Sequence, residues 1–221
     1  MLDRAAVLRI IFWDNDGVLV DTEPLFFRAT SKVLEEHGVE LSEATFKELS
    51  LRQGRSVFDL LGDSVSQDTH AALRDRRNAL FNEYLAAGGH LVEGAADVLA
   101  QLAPDFRMAV VTSSKREHFE SAHADTGIRS FFEFVLAFED YPRTKPHPDP
   151  YFAALARARV NAKEAVAIED SPRGVRSAVA AGIPCIAVPR GLTSDGDFSG
   201  AWIRLNSVME VPAVLRQANG V

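Results

Sequence analysis

The chain has 221 residues, 47% of them hydrophobic, enough to bury one good core or one core with a small inserted unit. A formal net charge of −7, with no compensating basic block, argues against a nucleic-acid or anionic-membrane surface, and no apolar run approaches the ~18 residues of a membrane helix. The single cysteine, Cys185, excludes an intrachain disulfide and fits a reducing cytoplasm.

The apolar, β-rich run 7–13 reads as a buried strand that stops abruptly at Asp14-Asn15-Asp16-Gly17. Residues 24–88 then lose all strand character. Pro24 suits a helix start, and Leu25, Phe26, Ala29, Val33 and Leu34 recur at helical spacing up to Gly38. Short helices are expected over 43–51 and 57–61, the latter closed by Gly62. The longest is expected over 68–87, with Ala71, Leu73, Leu80, Phe81, Tyr84 and Leu85 as core candidates, ending at Gly88-Gly89. On this helix the Arg74, Arg76, Arg77 patch, interrupted by Asp75, reads as a solvated face. These four helices look like a small bundle inserted after the first strand.

From there the pattern alternates. Strands are expected over 107–112, 135–137, 165–169 and 183–188, with an edge strand over 202–205. Helices are expected over 115–125, 149–159, 173–181 and 207–216. Alternating apolar strands and helices predict an α/β fold with a doubly wound parallel sheet. Cys185 lies in one of these strands and reads as packing rather than a reactive thiol.

The chemistry concentrates at the first strand end. In parallel α/β sheets, ligands sit where strands end and loops begin. Asp14 and Asp16 there could simply end a strand and open a turn, or could hold a hard cation and offer one oxygen as a nucleophile. The longer string decides between them: an apolar strand followed by Asp14, Asp16, Gly17, Asp21 and Thr22 resembles the signature of the haloacid dehalogenase superfamily. That resemblance implies a Rossmann-like core over 1–21 and 90–221, with a helical cap over 22–89.

By the same resemblance, Asp14 is the nucleophile that becomes an aspartyl phosphate. Asp16 is the acid for the leaving oxygen and then the base for water, and its backbone carbonyl joins the metal. Asn15, at a position the family leaves variable, is assigned no role. The family's dehalogenase branch lacks the second aspartate, so Asp16 points to phosphate-ester chemistry. Thr112 and Ser113, at the end of 107–112, match the second motif and would donate to the transferring phosphoryl group. Ser114 is assigned no more than a helix cap. Lys145, stiffened by Pro146 and Pro148, matches the third motif and would balance the charge of Asp14 and the phosphoryl group. Glu169 and Asp170 match the fourth, with Asp170 the direct metal ligand and Glu169 bound directly or through water.

Four converging carboxylates and a phosphate would repel by roughly 4 kcal/mol per pair near 4 Å at an effective dielectric of 20, which calls for a divalent cation. All-oxygen ligands favour Mg²⁺ over zinc, and His118 and His123, five apart with no cysteine partner, offer no zinc site.

Substrate choice in the family comes from the cap. The candidates are Thr22 and Glu23 at the hinge, Arg52 and Arg55 in the cap turn, and Arg77 and Asn78 on the long helix. The family's hexose-phosphate mutases carry a histidine twelve residues after the nucleophile, where this chain has Phe26. The strings Asp170-Ser171-Pro172-Arg173-Gly174 and 145–151 resemble the sugar-phosphate and phosphoglycolate phosphatase branch. The expectation is therefore a Mg²⁺-dependent phosphatase of a small phosphorylated metabolite, in a cytoplasmic monomer or weak homodimer. A phosphosugar mutase of the β-phosphoglucomutase type, or a non-catalytic binder on the same fold, are the alternatives.

Overall fold

The computed structural model describes residues 7–62 and 66–220. Its sheet contains β1 (Ile10–Trp13), β2 (Arg107–Val111), β3 (Val135–Leu136), β4 (Ala165–Glu169), β5 (Cys185–Ala187) and β6 (Ile203–Arg204). Among the described residues these make one parallel sheet in the order β3-β2-β1-β4-β5-β6. The chain winds outward from β1 to one edge, then returns to β4 and winds to the other. The switch point, where such sheets open a crevice, therefore lies beyond the ends of β1 and β4.

Strand side chains alternate between two buried faces. Ile11, Trp13, Met108, Val110, Val166 and Ile168 join one core with α4 (Ala95–Leu102) and α8 (Val211–Asn219). Ile10, Phe12, Ala109, Ala165 and Ala167 face the other, with α6 (Asp149–Ala158) and α7 (Pro172–Ala180). Small alanines on this second face let the helices sit close to the sheet. Both faces are covered, which is why the strand sequences are apolar throughout.

A third cluster belongs to the helical region. Here α1 (Glu23–Glu35) packs along α3 (Gln67–Leu85), and α2 (Glu43–Phe46) is followed by a π-helical turn over Lys47–Arg52 and a 3₁₀ turn over Val57–Leu61. Val33, Leu34, Phe46, Phe58, Leu73, Phe81 and Leu85 are all buried in it. The two connections to the sheet run side by side. Val20 and Leu91 form an antiparallel bridge, the Asp21 N–H donates to the His90 carbonyl, and Val92 N–H to that of Leu19.

Most expected elements lie within a few residues of their observed bounds, and three depart from expectation. The helix expected over 43–51 is α-helical only to Phe46 and then widens into the π turn. No element was expected between 89 and 107, where α4 lies. Its eight residues carry Ala95, Val98, Leu99 and Leu102 inward, but so short a run barely shows a helical period. The closing helix is a 3₁₀ turn over Val208–Glu210 before α8. Residues 1–6 of the expected core segment fall outside the described residues. No helix among the described residues is long and apolar enough to cross a membrane.

Candidate active site

Sheet register assembles the site. Trp13 lies beside Ile168 of β4 and Val110 of β2, so Asp14, one residue on, sits level with Glu169 and Val111. The Asp14 N–H extends the ladder by donating to the Ile168 carbonyl at 2.9 Å. Asp14 and Asp170 thus meet beyond the two central strands, with Glu169, the last residue of β4, fully buried beside them.

Lys145 reaches this cluster from the loop before α6 and is itself buried. Its ammonium donates to Asp14 Oδ1 at 2.9 Å and to the Val111 carbonyl at 2.8 Å, and pairs with Glu169 Oε1 at 2.7 Å. Three acceptors match its three N–H groups. Burial alone would lower the Lys145 ammonium, but Asp14 and Glu169 outweigh it and hold it above its ordinary value. The Tyr151 hydroxyl, on the first turn of α6, also donates to Glu169 Oε1.

One cation among three buried carboxylates is not enough. Asp14 and Asp170 are both pushed well above the usual carboxylate range, first by burial. Glu169 then adds to the rise at Asp14, and Glu23 and Asp14 to that at Asp170. Oxygens of Asp14, Glu169 and Asp170 come within 4.8 Å of one another, and Glu169 Oε2 is buried without a hydrogen-bond partner. A negative, all-oxygen donor set with one orphaned oxygen fits a hard divalent cation.

Two glycines make the cluster possible. Gly17 has φ +81°, and a Cβ there would fall inside the Asp170 carboxylate. A Cβ at Gly174, in the first turn of α7, would fall inside the Glu169 carboxylate.

Asp16 is held differently, by hydroxyls from two sides of the cleft. Thr22 donates to Oδ1 from the start of α1, while Ser114 at 2.7 Å and Thr112 at 3.3 Å donate to Oδ2. Hydroxyls can donate to a carboxylate or accept from a carboxylic acid, so the cradle suits both protonation states. Thr112 is fully buried, its oxygen also accepting the Ser114 N–H, while Ser113 is exposed and accepts from the Thr144 hydroxyl.

Asp14, Asp16, Ser113, Lys145 and Asp170 all line a cavity of about 310 Å³ between the sheet and the helical region. Of the specificity candidates, Thr22 and Glu23 line it too. Burial, with Asp16 and Asp21 nearby, raises the Glu23 carboxyl to about 7. The other four do not line it. Arg52 is exposed and pairs with Glu48 and Asp195, and Arg55 pairs with Asp59. Arg77 is not on a solvated face either: its guanidinium lies 4.4 Å over the Phe26 ring and donates twice to Asn78 Oδ1. Both therefore stand behind the cavity wall, where the amphipathic arginine covers an aromatic ring.

Several residues with no assigned role prove central. Ser114 holds Asp16. Asn15 is buried, and its backbone carbonyl collects the Val18, Leu19 and Val20 N–H groups that shape the loop. Arg173 lines the cavity and spans it, donating to the Ser50 carbonyl of the π turn and the Lys145 carbonyl of the sheet unit. Tyr151 was visible only as the last residue of the proline-rich string, with no chemistry to mark it.

Residues 10–188 match the profile of a family described as haloacid dehalogenase-like hydrolase. Protein CbbY of Cereibacter sphaeroides is 32% identical over 220 residues, covering 93% of this chain and 94% of the relative. Validoxylamine A 7'-phosphate phosphatase of Streptomyces hygroscopicus subsp. limoneus is 28% identical over 200 residues, covering 86% and 87%. The crystal structure of CbbY from Rhodobacter sphaeroides in complex with phosphate superimposes with a TM-score of 0.82 at 28% identity, over 93% of this chain and 96% of that one.

Proposed function

The chain belongs to the haloacid dehalogenase-like hydrolases, and from that premise we propose that it is a Mg²⁺-dependent phosphatase that hydrolyses a small phosphomonoester through an aspartyl phosphate on Asp14. The observation that carries this reading is the cluster around Lys145. Its ammonium holds Asp14 Oδ1 at 2.9 Å while Asp14, Glu169 and Asp170 face one another with an orphaned Glu169 oxygen. A nucleophilic carboxylate needs a fixed orientation, a neutralised field and a free lone pair. Lys145 fixes one Asp14 oxygen and leaves the other available.

In this mechanism Asp14 attacks phosphorus, the bond from phosphorus to the ester oxygen breaks, and Asp16 gives its proton to that oxygen. Asp16, now a carboxylate, takes a proton from water, and the hydroxide attacks phosphorus and breaks the Asp14–phosphorus bond. Thr22, Ser114 and Thr112 hold Asp16 through both states. The Ser113 amide and Lys145 would face the phosphoryl oxygens. Asp14, the Asp16 carbonyl, Asp170 and Glu169 would hold Mg²⁺, which when bound supplies charge neutralisation at the phosphoryl group. Residues 22–89 act as a cap over a core of 1–21 and 90–221, excluding water while the first step occurs.

The named phosphatase among the relatives supports the reaction class. Phe26, at the position where mutases place a shuttling histidine, gives no support to a mutase. The test is phosphate release from a panel of monoesters with Mg²⁺ or with chelator. Release that requires both the metal and Asp14, lost in Asp14→Asn, is expected. No release from any ester would overturn the reading.

A further inference from the structure

The π turn over Lys47–Arg52 is one place where the helical region comes down on the sheet unit, and Ser50 and Leu51 of that turn line the cavity together with Arg173. Such widened turns recur at functional sites. Gly54 follows with φ +66°, and its N–H donates to the Ser50 carbonyl at 3.2 Å. The same carbonyl accepts from the Arg173 guanidinium, on the first turn of α7, at 3.4 Å. The other terminal nitrogen of that guanidinium donates to the Lys145 carbonyl. One planar group thus ties the helical region to the main chain of the residue whose ammonium holds Asp14 Oδ1 at 2.9 Å.

The helical region carries a socket for this group. A Cβ at Gly54 would stand 3.1 to 3.3 Å from the guanidinium atoms, so the bare glycine leaves the room that the arginine fills. Around the socket, Leu192 packs against the helical core, and Arg52 pairs with Asp195 at 3.2 Å. Both members of that pair are about half-exposed, so it adds little. The Arg173 contacts are also poised rather than saturated. A separation of 3.4 Å is long for a hydrogen bond, and Arg173 Nε is buried with no partner among the described residues. A tie that must open for substrate entry and product release has to be of this marginal strength.

We propose that Arg173 is a positioning residue that couples the seating of the helical region to Lys145. With the helical region seated, the guanidinium fork engages Ser50 and Lys145 together. With it lifted, the fork loses Ser50 and no longer fixes the Lys145 main chain. The role calls for arginine, because an ammonium is a point donor that does not reproduce a planar fork. The effect on turnover rests on the phosphatase reading of the same site, whereas the seating itself does not.

The test places spin labels on the full chain through Leu60→Cys and Val179→Cys, two exposed positions, one on each side of the seam, leaving the buried Cys185 unlabelled. With Mg²⁺ present, one short distance is expected. Arg173→Lys should add a longer one, the ratio of seated to lifted forms falling by about tenfold, the scale of one hydrogen bond to a charged group. Gly54→Ala should shift the distances the same way, by pushing the guanidinium off a contact already at 3.4 Å. Gly38→Ala, at φ +76° with nothing within 4 Å, has the same backbone cost and should leave them alone. In phosphate release, kcat of Arg173→Lys is expected to fall by about tenfold. Unchanged distances in Arg173→Lys, equal shifts in Gly54→Ala and Gly38→Ala, or a full kcat in Arg173→Lys despite lifted forms would each overturn the proposal. If no ester is hydrolysed, the phosphatase reading fails and the distances alone decide. If Arg173→Lys does not fold, Gly54→Ala against Gly38→Ala decides.

Discussion

His123 Nε2 lies 2.7 Å from Asn15 Oδ1, a buried contact between the end of α5 (Arg116–Ala122) and the residue between the two site aspartates. The other ring nitrogen faces the Thr126 hydroxyl at 3.1 Å. Burial lowers the His123 imidazolium to about 4, so the ring is neutral at pH 7, with Nε2–H donating to Asn15 and Nδ1 accepting from Thr126. In the unfolded chain the same group takes up a proton near 6.5. Between those values the unfolded state binds more protons, so stability is complete above about 6.5 and falls as pH drops toward 4, by on the order of 2–3 kcal/mol. Urea midpoints measured from pH 7 to 4.5 should fall more steeply for wild type than for His123→Gln. Equal slopes would remove His123 from the account.

Gly174→Ala tests how closely α7 is built around Glu169. A methyl group there cannot coexist with the observed carboxylate position, so either the helix start or Glu169 must move. Because Glu169 carries both the Lys145 ion pair and the orphaned oxygen of the cluster, a tenfold or greater loss of Mg²⁺ affinity is expected, on the order seen when groups supporting a metal site are lost. A Mg²⁺ titration of activity checks it, with Ala178→Gly on the same helix as control. Unchanged affinity would mean Glu169 plays no part in holding the ion.

The linear chain shows the charged floor of the cavity more plainly than the aromatic side chains that roof it. Asp14 and Glu169 are each the first polar residue after an apolar stretch of strand, Asp16 and Asp170 follow within two residues of them, and Lys145 sits in a proline-stiffened loop, so chemistry and position are marked together. The roof is another matter. Phe26, Phe46 and Phe81 have the same helical spacing whether they fill a core or line a cavity, and only the packing of α1 against α3 brings them over the floor. Arg77 misleads for a related reason: a cation in a basic run looks solvated until an aromatic ring is found beneath it. Asn15 and Ser114 lacked any signal, because their partners His123 and Asp16 lie 108 and 98 residues away.

Ser114→Ala removes the shorter of the two hydroxyl contacts to Asp16 Oδ2. The side chain would then rest on Thr22 and the longer Thr112 contact. Since Ser114 acts through Asp16, the expected effect is a fall in kcat of about tenfold with little change in KM, the pattern of a weakened acid–base step. Ser114→Thr should recover most of the rate. A rise in KM with kcat intact would place Ser114 against the substrate instead.

Stabilisation by Mg²⁺ should itself depend on pH. In the metal-free protein Asp14 and Asp170 are raised well above their ordinary values and Glu23 to about 7, each first by burial. Carboxyls raised in the folded state keep protons that the unfolded chain has released, so metal-free stability falls as pH rises from about 4 toward and past neutrality. The cation binds the deprotonated cluster and competes with those protons, so its contribution must grow over the same interval. The rise in Tm on adding saturating Mg²⁺ is therefore expected to be several degrees larger at pH 8 than at pH 5.5, and Asp170→Asn should flatten the difference. This trend runs opposite to that of His123, so the metal-dependent part isolates the carboxylates. A Mg²⁺ effect equal at both pH values would show that protons and metal do not compete for this cluster.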